Sequence, residues 1–247
     1  MGGKFLKRIN KEVKGVILLA AVMTEVAACG MTQKEYETQA LTMLEEKYGE
    51  EFAVQEYCGM EFLDGYFTVK CYPRENPDVI FEAKTACDGG YIQDEYVAAL
   101  VCRKAEQRID DNLAHLEGYL LEKALPVSRE VDSVDTNMSV EEFMELKSKN
   151  RFAVYLMYCP QERNIEKVYA ELQKTFYGLE CMSGNIQLYI MQEEELREMQ
   201  EYFAETAEFG REFGEMTEKT ERITIPFKNG TIMMSEEDFK AKARGLI

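Results

Sequence analysis

Few residues in this chain suggest chemistry by type and spacing. It has one histidine, His115, with Asp111 four residues before it. On a helix that spacing shares a face, so Asp111 would orient His115 as a general base. The neighbours Ala114 and Leu116 fit an amphipathic helix with His115 at its boundary, and that is the preferred reading. No G-x-S-x-G elbow or S-x-x-K sequence is present, which argues against a serine hydrolase. There is no C-x-x-C or H-x-x-x-H, which argues against zinc. The chain is read as having no cofactor, no metal and no assignable catalytic residue.

Weaker signals have plainer explanations. Asp88 to Glu95 places Asp88, Asp94 and Glu95 near Gly89-Gly90, but only Asp88 fits the start of a calcium loop. A solvated turn leading into a helix is expected there. Gly178 to Gly184 lacks the Lys-Ser/Thr end of a phosphate loop. Gly210 and Gly214 read as close packing or fraying within a helix. The methionines fall at apolar positions, as core residues do, rather than forming a Cu(I) site. Two carboxylates at the right separation suffice for glycoside hydrolysis, yet nothing selects a pair from the 44 that remain of the 46 Asp and Glu residues when Glu12 and Glu25 are set aside. Tryptophan, a common platform for sugars, is absent.

A net charge of −17 excludes nucleic acid and argues against adhesion to anionic lipid. The first residues depart from this acidity. Lys4, Lys7, Arg8, Lys11 and Lys14 precede a short apolar run, Gly15 to Met23, and then Val26-Ala27-Ala28-Cys29. Basic-then-apolar order is the signature of a secretory signal, and the run is too short to span a membrane permanently. The start Met-Gly does not make a myristoylation site, because Leu6 stands where Ser or Thr is required.

The segment resembles the signal peptide of bacterial lipoproteins, with Val26 to Cys29 as the lipobox. Glu25 departs from the neutral residues usual there. The resemblance covers residues 1 to 30 and implies cleavage between Ala28 and Cys29. It also implies a diacylglycerol on Cys29, built from fatty acids such as palmitate, and a location on the outer side of a bacterial cell membrane. Read on residue types alone, the stretch also fits a cytoplasmic amphipathic helix ending in a cysteine.

Outside the cytoplasm, disulfides can form. Asp64-Gly65 between apolar stretches reads as a two-residue hairpin turn. In that register Leu63 faces Tyr66, Phe62 faces Phe67, Met60 faces Val69 and Cys58 faces Cys71. Two readings stay open: a Cys58–Cys71 bridge, or two buried reduced thiols. A bulge at Gly59 would break the register.

The elements that would carry these residues form an α+β protein. Thr32-Gln33-Lys34-Glu35 is a capping box opening a helix that Gly49 stops. A three-stranded antiparallel meander follows at about 52–58, 66–72 and 79–86. From Asp94 the apolar period is helical as far as Pro126. The second module has a short helix from Ser139, a strand at 152–158, a helix from Ile165 to Gly178 and a strand at 186–191. That order suggests a right-handed parallel crossover. A long acidic helix runs from Glu193 to about Phe213. Asn229-Gly230 then joins a hairpin whose Pro226 suits an edge strand, and Ser235 caps a last helix.

The expected domains are a signal peptide at 1–28, a tether at 29–32, a helix/meander/helix module at 33–126, a linker or short strand at 127–138, and an α+β module at 139–247. The expected function is that of a membrane-anchored lipoprotein binding a basic protein or a cell-wall component. The alternative is a wall-modifying enzyme using a Glu/Asp pair. An open edge at Ile223 to Phe227 would favour binding.

Overall fold

The structure is a computed structural model. It describes residues 31–61, 63–114, 119–126, 131, 133–146, 151–160, 164–205, 213, 217, 220 and 222–244. The chain is α+β and divides into two compact units, Met1–Asp94 and Glu95–Ile247. The expected boundary at 127–138 is therefore corrected to Asp94/Glu95. The reason is the helix beginning at Tyr96, which packs on the second unit's sheet and so belongs to that unit.

In the first unit α1 (Gln33–Tyr48) starts with a complete capping box. The Glu35 amide donates to Thr32 Oγ1 at 3.4 Å, and the Thr32 amide donates to Glu35 Oε2 at 2.6 Å. Gly49, at φ 71°, ends the helix in the left-handed conformation that glycine adopts without strain. Tyr36, Ala40 and Leu44 share one face by their four-residue spacing and are buried.

That face meets an antiparallel sheet in the order β1-β2-β3-β4: β1 (Phe52–Glu61), β2 (Tyr66–Pro73), β3 (Phe81–Ala86) and the three-residue β4 (Ile92–Asp94). Phe52, Phe67, Val69, Cys71, Phe81 and Ala83 fill the interface. Full burial of such a side chain is worth about 1.5–3 kcal/mol. The opposite face is polar and internally paired: Lys70 Nζ lies 3.0 Å from Glu56, and Lys84 Nζ lies 3.4 Å from the Tyr66 ring centroid.

The second unit holds a sheet in the order β5-β6-β7-β8-β9. Its strands are β5 (Tyr119–Pro126), β6 (Phe152–Tyr158), β7 (Gly184–Ile190), β8 (Arg222–Lys228) and β9 (Thr231–Ile232). β6 and β7 are parallel, as the crossover through α4 (Ile165–Tyr177) requires, and the other pairs are antiparallel. One face carries Val154, Leu156, Ile186, Leu188, Ile223 and Ile225, all buried. α2 (Tyr96–Leu113) packs on β5, and α4 on β9 and on α6 (Glu236–Ala243). The other face meets α5 (Glu193–Glu205) through Met157, Tyr189, Leu196 and Met199. α3 (Val140–Leu146) packs against α2.

Residues 119–126 are a further correction. The helix expected as far as Pro126 ends at Leu113, and Tyr119–Pro126 pairs with β6 from Tyr158 back to Phe152. At the hairpin, Asn229 (φ 47°) and Gly230 (φ 73°) both take positive φ, as a type I′ turn demands.

Candidate functional site

Three carboxylates singled out by sequence, Asp88, Asp94 and Asp111, each accept a hydrogen bond from the protein itself. His115 lies outside the described residues, and Asp111 accepts from Gln107 Nε2 at 2.8 Å. Asp88 closes its own turn by accepting from the Gly90 amide at 2.9 Å. Asp94 is buried beneath α1, where it accepts from Lys47 Nζ and from the Tyr48 hydroxyl, each at 2.7 Å. Among the described residues, no group of three or more His, Cys, Asp or Glu could hold a metal ion. Gly184 lets β6 and β7 approach, because a side chain there would overlap the Phe152 carbonyl. Gly210 and Gly214 lie outside the described residues.

One charged constellation was not visible in the sequence. Arg108 on α2 grips Glu141 on α3 with both guanidinium nitrogens, at 2.6 and 3.0 Å, and Nη1 lies 3.3 Å from Cys181 Sγ. No short-range pattern links positions 108, 141 and 181. The hydrogen bonds from Arg108 hold the Glu141 carboxyl down to about 2. Burial, and then the Glu141 charge, push the Cys181 thiol up. At neutral pH the Glu141 carboxyl is therefore ionised and the Cys181 thiol protonated. The cluster ties two helices to the segment after α4.

Other carboxyls are displaced in the same direction. Glu35 and Glu142 are lowered by the backbone amides of Thr32 and Ser139, and Glu166 by the Lys240 side chain. A glycosidase acid requires the opposite shift.

The Cys58–Cys71 register is corrected. The loop joining β1 and β2 has four residues rather than two, and irregularities at Gln55 and Cys58 interrupt the pairing, so Cys71 lies opposite Val54. Cys58 is exposed, Cys71 is buried, and neither is bridged. Burial pushes the Cys71 thiol up to about 12. The two bulges also break up an edge strand, which protects it from pairing with another chain.

The edge expected at Ile223 to Phe227 is covered only at its Pro226–Phe227 end. Gly184 to Tyr189 pair along one side of β8, β9 covers Phe227 and Lys228, and the Pro226 carbonyl accepts from the Met233 amide at 2.8 Å.

Ala28 and Cys29 lie outside the described residues. The end of the first unit that follows them is well defined. Tyr36 near the start of α1 packs on Phe67 near the start of β2, with ring centroids 4.7 Å apart. Gln39 Nε2 donates to the Ala86 carbonyl at 3.1 Å, which brings the β3–β4 turn to the same end. The Cys87 amide donates to the Gly65 carbonyl at 2.9 Å, joining that turn to the β1–β2 loop. A shallow cavity of about 550 Å³ opens there, lined by Met31, Thr38, Gln39, Thr42, Met43 and Gly89 among others. Leu63 on the β1–β2 loop and Tyr91 on the β3–β4 turn stand out into solvent.

Comparison with known proteins adds a fold likeness and no function. No family model matches the chain, and no curated protein matches it. The crystal structure of a DUF5037 family protein from Ruminococcus gnavus ATCC 29149 is similar, with a TM-score of 0.61 and 16% identity. The match covers 85% of this chain and 99% of that one, and it shows the fold alone. Among the described residues, no helix is long and apolar enough to cross a membrane.

Proposed function

We propose that this chain is a bacterial lipoprotein anchored to the outer side of the cell membrane through a diacylglycerol on Cys29, and that its body binds another molecule rather than catalysing a reaction. The observation that carries the reading is the junction between signal and fold. The basic-then-apolar segment ends in Val26-Ala27-Ala28-Cys29, and the capping box of α1 begins three residues later at Thr32. Cleavage before Cys29 would remove the signal and leave the first helix whole. Two acyl chains would make the attachment durable, since one chain alone holds a protein only reversibly.

The binding half of the reading rests on how the reactive side chains are used. Glu141 and Asp94 are occupied in joining elements of the fold, Asp88 closes its own turn, and the displaced carboxyls are displaced toward the ionised form. The acidic body suits a basic protein or a cationic wall component. The test is protease treatment of intact cells together with detergent phase partitioning, for the wild type and for Cys29→Ala. Wild-type protein should be cleaved from outside and enter the detergent phase, and the variant should leave that phase. A wild-type protein that is protected from protease and stays in the aqueous phase would contradict the proposal.

A further inference from the structure

The exposed large apolar side chains of the first unit are Met31, Leu63 and Tyr91 among the described residues, Met31 only marginally so, and all three lie at one end. Leu63 shows its full side-chain surface to solvent (101% relative exposure) and Tyr91 about half (47%). Single exposed apolar residues are ordinary on protein surfaces. Their gathering at one end, on three segments separated in sequence, calls for a cause.

That end is also where the chain arrives from Cys29. Thr32 is three residues beyond the cysteine, so the start of α1 lies within about 11 Å of it even with the chain fully extended. The Gln39–Ala86 and Cys87–Gly65 hydrogen bonds fix the two exposed turns beside that helix start. An anchor on Cys29 would press Met31, Leu63 and Tyr91 toward the bilayer.

We infer that this end of the first unit is a membrane-docking surface, with Leu63 entering the lipid interface and Tyr91 resting at headgroup level; the inference rests on the lipid anchor proposed above. Tyrosine suits that depth because its ring is apolar and its hydroxyl is polar. Glu61 and Asp64 flank Leu63, and both are exposed. The contact is therefore apolar rather than electrostatic, and it needs no anionic lipid. The consequence is orientational: the anchored unit stands with the β2–β3 turn, residues 74–80, pointing away from the membrane.

The absence of tryptophan makes the test direct, because one introduced tryptophan is the only indole in the protein. The full mature protein, purified from membranes, is reconstituted into phosphatidylcholine vesicles with plain or brominated acyl chains. Leu63→Trp is compared with Glu75→Trp, which lies in the exposed turn at the opposite end. Leu63→Trp should emit further to the blue and be quenched by brominated lipid at least about threefold more than Glu75→Trp, as a side chain lodged in the interface would be. Intact mass is read on the same samples. A lipidated protein whose two variants are quenched alike overturns the docking surface and leaves the anchor standing. An unmodified protein that does not enter the vesicles overturns both.

Discussion

Replacing Glu141 by Gln removes the charge from the Arg108 clamp while keeping the side chain's size. The Glu141 carboxyl is held near 2 rather than at its ordinary 4.5, and taken at face value that displacement corresponds to about 3 kcal/mol. Glu141 is 47% exposed and Arg108 41%, so water screens the pair. The discounted contribution is about 1 kcal/mol, at the upper end for exposed pairs, because the geometry is bidentate. A folded-state value below the unfolded one stabilises the protein fully above about pH 4.5. That stabilisation is lost as pH falls from there toward 2.

The assay is urea unfolding followed by circular dichroism at a series of pH values. Glu141→Gln should be about 1 kcal/mol less stable than the wild type at pH 7, with the gap closing between pH 4.5 and 2. A double-mutant cycle with Arg108→Gln should return most of that energy as coupling. Equal stability at pH 7, or a gap that persists unchanged into acid, would refute the reasoning.

Three further outcomes follow from named contacts. Gly184→Ala should cost about 3 kcal/mol in unfolding free energy, because the new methyl overlaps the Phe152 carbonyl in the parallel pair β6–β7. Wild-type stability in that variant would mean the strands sit further apart. Thr32→Ala should cost about 1 kcal/mol by removing the cap of α1, and an unchanged melting temperature would count against the capping box. In reduced folded protein, alkylation mapped by mass spectrometry should mark Cys58 well before Cys71, which is buried with its thiol pushed up to about 12. Equal rates would put the β1–β2 register in doubt.

The legible parts of the fold are those whose signals are local. The Thr32–Glu35 capping box, the Gly49 stop and the Asn229-Gly230 turn each depend on a few adjacent residues, and each forms as expected. The β6–α4–β7 crossover was legible because the apolar period changes sharply between strand and helix. The misread segment, Tyr119 to Pro126, has leucines that satisfy either period. A bulge between Leu121 and Lys123 breaks its alternation, and pairing with β6 decides the outcome. The Cys58 register failed for a related reason: a longer loop and two bulges are settled by packing, and no dipeptide announces them. At the candidate site, the lipobox resemblance depends on contiguous residues. The Arg108–Glu141–Cys181 cluster and the shared end of Met31, Leu63 and Tyr91 exist only once distant segments fold together.

The central claim is the lipid on Cys29, and the most direct measurement is the intact mass of the protein purified from the membrane fraction, beside a Cys29→Ala variant. The account predicts a chain that begins at Cys29, carries the added mass of a diacylglycerol, and loses that species in the variant. A full-length, unmodified chain beginning at Met1 in the soluble fraction would contradict it.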